Sequence, residues 1–165
     1  MTEKIASEIR SRMMASIRGK NTQPELKIRT LLHILGFRFR LHRKDLAGRP
    51  DIILPRHRLA IFVHGCFWHR HTGCKFATSP KSNTSFWQEK FERNVRRDNI
   101  ALERLDEAGW RTLIVWECVL KGEDATSSLP RQLRKAVLSR LSRCEIPRAK
   151  TTHLDSADRQ EKLHQ

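Results

Sequence analysis

One short stretch, residues 59–74, constrains this chain more than any other. It reads LAIFVHGCFWHRHTGC and places three histidines, two cysteines and two large aromatic residues directly behind a five-residue apolar run. The apolar run predicts a buried strand, and the residues after it predict a loop rich in side chains that bind metal ions. The rest of the chain is therefore read for what could support a site in this loop.

The cysteine spacing predicts a metal site. Four residues separate Cys66 from His71 and two separate His71 from Cys74, which suits three ligands of a tetrahedral site, with Cys118 as the candidate fourth. Three thiolates and one imidazole leave no open position for water, so a Zn²⁺ ion here would be structural. Spacing alone does not place Cys118 beside the loop, and the alternative is three unrelated core cysteines. Cys144 is predicted to be a spare thiol.

The composition narrows the class of protein. A chain of 165 residues with 38% apolar residues is about one domain long and supports a single modest core. The formal net charge of +15 indicates a polyanionic partner, nucleic acid before an anionic membrane, and residues 1–58 alone hold 14 basic and 5 acidic residues. We find no apolar run near the ~18 residues of a membrane span and no signal-peptide core. The expected location is the reducing cytoplasm, where cysteines more often bind metals than form disulfides.

Apolar periodicity predicts an α/β fold. A stripe at every fourth residue predicts a helix over residues 3–18, which could dock on the core or on a ligand, and the basic charge of residues 1–58 favours a DNA-contacting arm. A capping box at residues 22–25 begins a second helix that ends at Gly36. Strands are predicted over residues 37–41, 52–54, 59–63 and 111–116, and helices over residues 85–108 and 129–143. A strand, a helix and a further strand make a crossover unit, which predicts a mixed central sheet flanked by helices. Residues 1–145 would form one domain, with residues 146–165 a disordered tail.

Four polar side chains near the loop are candidates for chemistry. Asp51 and His64 would occupy neighbouring positions of a hairpin, where a buried carboxylate is costly unless it is paired or bound to a metal, although Asp51 could simply cap a turn. Glu25 is explained equally well by the capping box, and a histidine near zinc is often a spectator. A phosphodiester hydrolase needs a divalent cation and a base that titrates near neutrality. Asp51 and Glu25 would then bind Mg²⁺, and His69 or His64 would be the base.

The aromatic residues Phe67, Trp68 and Trp87 admit two interpretations. Large aromatic side chains usually belong to a core. Phe67 and Trp68, however, are adjacent in a loop beside the proposed active groups of a very basic protein. Apolar side chains can also wedge between base pairs of DNA, at a cost of about a few kcal/mol of unstacking per step. The residues alone leave both interpretations open.

Several motifs taken together resemble a known family. FVHGCFWHRHTGC, with GRPD before it and TSFWQEKFERNVRRD and GWRTLIVWEC after it, closely resembles the very-short-patch (Vsr) mismatch repair endonucleases of bacteria over about residues 9–120. The resemblance implies a restriction-endonuclease-like fold and a nick in one strand of DNA, 5′ to the thymine of a T·G mismatch left by deamination of 5-methylcytosine. It also implies a monomeric, nucleoid-associated protein, with other mismatch-repair proteins as candidate partners.

The resemblance also implies a role for each candidate residue. Asp51 matches the aspartate that binds the metal, Glu25 and His64 match groups that contact the metal through water, and His69 matches the base. The remaining matches are the structural zinc ligands and the wedge, namely Cys66, His71, Cys74, Cys118, Phe67, Trp68 and Trp87. The acid-x-Lys motif of restriction enzymes is absent, because residues 62–64 at the end of the second strand read FVH. Histidine would replace the lysine.

The sequence departs from the family pattern at two places, and two other functions are also consistent with parts of it. Arg70 and Thr72 remove alternative ligands and favour His71, and the segment after Cys118 has no matching motif. A zinc-knuckle protein that binds DNA without cutting it would explain the charge, the cysteines and the aromatic residues, but not the histidines and Asp51. A restriction endonuclease of the same fold would cut both strands of a paired palindrome.

Overall fold

The computed structural model describes residues 21–41 and 43–147, which form a four-stranded mixed sheet covered by helices. The strands lie in the order β1 (Ile52–Leu54), β2 (Leu59–His64), β3 (Arg111–Trp116) and β4 (Arg143–Ile146). β1 and β2 pair antiparallel, whereas β2 with β3 and β3 with β4 pair in parallel. The predicted mixed α/β architecture is confirmed.

Three helices lie within these residues. α1 (Gln23–Ile34) begins as its capping box predicts, because the Thr22 hydroxyl accepts from the Glu25 amide at 3.4 Å and Pro24 occupies the first turn. α2 (Thr84–Glu107) is the crossover helix between β2 and β3, and α3 (Glu123–Leu138) precedes β4. None of the helices within the described residues is long and apolar enough to cross a membrane.

The alternation of side chains along the central strands directs them to two hydrophobic layers. Ile61, Leu113 and Val115 face α1 and α3, and Phe62 and Ile114 face α2. The helices contribute buried residues to each layer, which are Ile28 and Leu32 from α1, Leu129 and Leu133 from α3, and Leu102 and Leu105 from α2. Each fully buried Leu or Ile stabilises the fold by about 1.5–3 kcal/mol, so both faces of the sheet are held in place.

One predicted strand is absent, and one predicted helix has different bounds. Residues 37–41 form no strand, and only an isolated bridge joins Arg40 to Ile53, although the apolar side chains of this segment pack against the core. The last predicted helix begins earlier and ends at Leu138, after which the chain returns as β4. The helix predicted over residues 3–18 lies outside the described residues, as does the predicted tail beyond residue 147. Ile146, the first residue of that tail, ends β4.

The loop before β1 approaches α2 unusually closely at Gly48. Its φ of +70° is favourable for glycine, and a Cβ atom there would lie 2.6 Å from Cβ of Ala101 on α2. Glycine is therefore required at this position by both backbone conformation and space. Asp51 follows three residues later, immediately before β1.

Candidate active site and metal cluster

A cleft of about 910 Å³ brings the predicted active-site residues together. Its lining includes Glu25 from α1, Asp51 before β1, His64 at the end of β2 and His69 in the following loop. The cleft is also rich in positive charge, from the side chains of Arg43, Lys44, Arg49, Arg97 and Arg104. A basic cleft that also contains acidic side chains suits a phosphodiester backbone, because the cations attract the phosphates.

Asp51 is held at the cleft by backbone hydrogen bonds of the hairpin. Its Oδ2 accepts from the Val63 amide at 2.8 Å, and its own amide donates to the Ile61 carbonyl at 3.0 Å. Burial raises the pKa of Asp51 to about 6, and the nearby charge of Glu25 adds to the increase, while the Val63 amide and the charge of Arg29 oppose it. A carboxylate that is ionised at this cost is well suited to bind a cation.

Glu25 both caps α1 and lines the cleft. It is 4% exposed, and its Oε1 accepts from the Thr22 hydroxyl at 2.9 Å. Its Oε2 accepts from the Asn21 amide and from the Arg29 guanidinium, each at 2.9 Å. The capping and the cleft-lining interpretations of Glu25 are therefore both consistent with the structure. With three hydrogen bonds already made, this carboxylate is better suited to hold a water molecule than to bind a metal directly.

The two histidines of the cleft stack, and one of them has an acidic partner. The rings of His64 and His69 are nearly parallel, with centroids 3.8 Å apart, and Nδ1 of His69 lies 2.5 Å from Oδ2 of Asp98. Burial lowers the pKa of His64 to about 3, so this ring is neutral near pH 7. Asp98 fixes the orientation of His69 and leaves Nε2 as the nitrogen free to exchange a proton.

Asp98 is the cleft residue that the sequence analysis missed. It lies on α2, 29 residues after His69, in the run RRD that the family resemblance already included. The available signal was an isolated acidic residue in a basic part of a helix. His64, His69 and Asp98 bring three ligand atoms within 4.8 Å of one another. Because the two rings stack rather than converge, a histidine–aspartate pair describes this group better than a metal site does.

The four predicted zinc ligands meet in one cluster. One ligand atom from each of Cys66, His71, Cys74 and Cys118 lies within 4.8 Å of the others. Nδ1 of His71 faces the sulfur atoms of Cys66 at 3.6 Å and Cys118 at 3.5 Å. Burial raises the pKa of the Cys66 and Cys118 thiols, so these sulfur atoms need a cation nearby to ionise. The cluster could therefore hold one metal ion.

The cluster also distinguishes the two candidate histidines of the loop. His71 is buried, stacks on Trp116 with centroids 4.2 Å apart and faces the cysteines, whereas His69 faces Asp98 in the cleft. Cys144 lies on β4 and packs partly buried against the opposite hydrophobic layer. Residues 65–74, which we call the metal loop, therefore present one histidine to each site.

The aromatic residues form a half-buried cluster beside the cleft. Phe67 contacts Trp68, Trp87 and Phe91 edge to face, with centroids 5.0 to 5.6 Å apart. Lys90 places its ammonium 5.2 Å from the Trp68 ring, and Trp68 itself lines the cleft. The three predicted wedge residues are thus neither deeply buried nor isolated on the surface.

A basic cleft that joins two carboxylates, one buried and one partly buried, to a histidine–aspartate pair is characteristic of a nuclease. Residues 2–75 match the family model described as DNA mismatch endonuclease Vsr. Three curated relatives are similar over most of this chain. A type II nicking enzyme, V.XorIIP, from Xanthomonas oryzae pv. oryzae is 50% identical over 120 residues, covering 73% of this chain and 88% of its own.

The other two relatives extend the same similarity. The DNA mismatch endonuclease Vsr of Escherichia coli K12 is 44% identical over 115 residues, covering 70% of this chain and 73% of its own. The type II nicking enzyme V.NmeAIP of Neisseria meningitidis is 38% identical over 141 residues, covering 83% of this chain and its own whole length. The chain belongs to the Vsr family of DNA endonucleases, as its motifs predicted, and is an enzyme.

Proposed function

We propose that this protein nicks one strand of duplex DNA 5′ to the thymine of a T·G mismatch, using Mg²⁺ in the cleft and Zn²⁺ in the cysteine cluster. The observation that carries the proposal is the meeting of Asp51 with the His69–Asp98 pair in one basic cleft. The names of the relatives, a mismatch endonuclease and nicking enzymes, support action on mismatched DNA and on one strand.

The carboxylates of the cleft fit a hard divalent cation. Asp51 offers an anionic oxygen to a cation, although burial opposes the ionisation of this carboxyl group. Glu25 lies near enough for its charge to raise the pKa of Asp51 further. Bound there, Mg²⁺ would offset charge on the phosphate and lower the pKa of water. Asp51 would bind the ion directly, and Glu25 and His64 would contact it through water molecules, since Glu25 is already engaged and His64 is buried and neutral.

His69 is the proposed general base. Its Nε2 would take a proton from the attacking water, while its Nδ1 keeps the hydrogen bond to Asp98. The oxygen of that water would form a bond to phosphorus as the bond from phosphorus to the 3′ oxygen of the preceding nucleotide breaks, and the leaving oxygen would take a proton from solvent water. Asp98 is a positioning residue in this scheme, because it orients the imidazole and stabilises the imidazolium that forms.

Three thiolates and one imidazole within 4.8 Å of one another fit a closed, tetrahedral Zn²⁺ site. In the sequence, His69 lies between two of the zinc ligands, Cys66 and His71, so the zinc would fix the segment that carries the base. Cys118 extends the same constraint to the short 3-10 turn that directly follows β3. The role of this metal is therefore structural, and its chemistry leaves the reaction to the cleft.

Phe67, Trp68 and Trp87 are proposed to insert beside the mismatch. Their half-buried position next to the cleft supports this role, because rings that line a surface can contact a base pair without unfolding the core. Lys90, above the Trp68 ring, would add positive charge where the duplex approaches.

The test uses end-labelled duplexes that differ only in one T·G or C·G pair, incubated with the protein and Mg²⁺. We expect a single nick in the T-containing strand of the T·G duplex and no cleavage of the C·G duplex. Binding without cleavage would favour a zinc-dependent DNA-binding protein. Cleavage of both strands of paired DNA would favour a restriction endonuclease, and either result overturns the proposal.

A further inference from the structure

Arg29 is a buried cation in the cleft that the proposed mechanism does not use. It lies one helical turn after Glu25 on α1, and its Nη2 donates to Glu25 Oε2 at 2.9 Å. Its Nη1 donates to the Asn21 side-chain oxygen at 2.6 Å. The side chains of the pair are 11% and 5% exposed, whereas ion pairs at this helical spacing are usually on the surface.

Stability alone does not account for this arrangement. The Nε–H of Arg29 is buried and has no hydrogen-bond partner among residues 21–41 and 43–147. A buried unpaired donor and a largely desolvated ion pair both oppose folding, and a hydrophobic pair would fill the same space at lower cost. A largely buried arginine with these energetic costs is expected to serve the site that it lines.

The contacts show which feature of the site Arg29 controls. Together with the Asn21 amide, Arg29 occupies Glu25 Oε2, so the freer oxygen is Oε1, which accepts only from Thr22. Asn21 is itself held by this pair, since the Asn21 side-chain oxygen accepts from Arg29 and the Asn21 backbone amide donates to Glu25. Arg29 thus holds the glutamate in one rotamer and supplies a compensating charge beside Asp51.

We propose that Arg29 is a positioning residue of the nuclease, which fixes Glu25 with Oε1 toward the cation site so that Glu25, through water, and Asp51 can hold a divalent cation together. This inference rests on the proposed function, since it assumes that the cleft binds Mg²⁺. Its effect is on cation affinity and not on the proton transfer by His69.

The test compares Arg29→Gln and Arg29→Lys with Lys27→Gln, which removes an exposed positive charge from the same helix. The Mg²⁺ dependence of single-turnover nicking gives the Mg²⁺ concentration at half-maximal rate and the maximal rate separately. Mn²⁺ binding to the protein without DNA, followed by electron paramagnetic resonance, gives a readout that does not depend on activity. Melting curves are recorded for every variant.

We expect Arg29→Gln to weaken Mn²⁺ binding and to raise the half-maximal Mg²⁺ concentration by roughly 10- to 100-fold, the range for residues that orient metal ligands. The maximal rate should change much less. Arg29→Lys should recover part of the affinity, because an ammonium can still donate to Glu25 but cannot bridge Glu25 and Asn21 as a planar guanidinium does. Lys27→Gln should match the parent.

A purely structural role makes a different set of predictions. If Arg29→Gln lowers the melting temperature but leaves both metal readouts at parental values, the inference is wrong. If Arg29→Gln does not fold, Asn21→Gly removes the second anchor of Arg29 while keeping the positive φ of Asn21, and an unchanged Mg²⁺ dependence in that variant overturns the inference equally.

Asp51→Asn separates this inference from the proposed function. If Asp51→Asn still binds Mn²⁺ and nicks DNA like the parent, the proposed cation site itself is wrong. If Asp51→Asn loses both while Arg29→Gln retains both, the cation site stands and only the role of Arg29 fails.

Discussion

The imidazole rings of His64 and His69 stack with their centroids 3.8 Å apart and their planes only 8° apart, yet their surroundings differ. His64 is 6% exposed, and burial lowers its pKa to about 3. His69 is half-buried and bonded to Asp98. Contact between the rings therefore does not make the two histidines equivalent. His64 stays neutral near pH 7, and His69 has the carboxylate partner that a general base needs.

The first prediction concerns Asp98. Asp98→Asn should lower the single-turnover nicking rate on the order of 10²-fold, because His69 loses the group that orients it and stabilises its protonated form. DNA affinity and melting temperature should change little. Asp106→Asn, an exposed aspartate of the same helix, is the matched control. A rate for Asp98→Asn within about twofold of the control would remove Asp98 from the mechanism.

The second prediction concerns the pH dependence of stability. The pKa of Asp51 rises from 3.8 to about 6, mainly through burial, so the folded state binds this proton more tightly than the unfolded chain. Stability contributed by this group therefore falls as pH rises between about 4 and 6. Asp51→Asn should be more stable than the parent by up to about 3 kcal/mol at neutral pH, and the advantage should vanish near pH 4.

Urea unfolding in Mg²⁺-free buffer at several pH values would measure this difference, with nicking assayed in parallel. Asp51→Asn should lose nearly all nicking activity while gaining stability. An advantage of the same size at every pH would show that burial of the Asp51 charge is not its cause.

The third prediction concerns the cysteine cluster. Cys118→Ser should lose the bound metal and about 3–5 kcal/mol of stability, since metal binding to such a site is coupled to folding. Cys144→Ser is the control, because Cys144 lies on β4 away from the cluster. Elemental analysis and melting curves would measure both effects. If Cys144→Ser also released the metal, or Cys118→Ser retained it, the proposed ligand set would be incorrect.

The fourth prediction concerns the aromatic cluster. Trp68→Ala should reduce the preference for T·G over C·G duplexes and should cost about 2 kcal/mol of stability, less than the ~3–5 kcal/mol of a fully buried tryptophan, because Trp68 is half-buried. Trp110→Ala, which also truncates a half-buried tryptophan, should lose stability without losing the preference. Equal preferences in the two variants would identify Trp68 as an ordinary packing residue.

Local patterns in the sequence were sufficient for much of the site. The apolar run before His64 defines β2, and the capping box defines the start of α1, because both signals lie within a few residues. The cysteine spacing likewise predicted which side chains meet, and Cys118 joins them from a distant strand end. Ligand chemistry predicted the long-range contact of Cys118 with the loop, since a closed tetrahedral site needs a fourth ligand.

The failures share a different physical origin. Asp98 reaches His69 only because α2 packs on the sheet in one particular rotation, which no local pattern records. β4 reads RCEI, an alternation only four residues long, and becomes a strand because it pairs with the exposed edge of β3. Residues 37–41 have the polar–apolar alternation of a strand, and their apolar side chains pack against the core. Their backbone, however, pairs with the sheet only at Arg40. Burial and strand pairing are thus separate requirements.

The contact between Gly48 and Ala101 has a consequence for the width of the active cleft. Gly48 lies three residues before Asp51, and Ala101 lies three residues after Asp98, almost one helical turn away and on the same side of α2. The absence of a methyl group at position 48 therefore sets how closely the part of the cleft that carries Asp51 approaches the part that carries Asp98. In this nuclease, a backbone approach too tight for any side chain acts as the spacer between these two parts of the cleft.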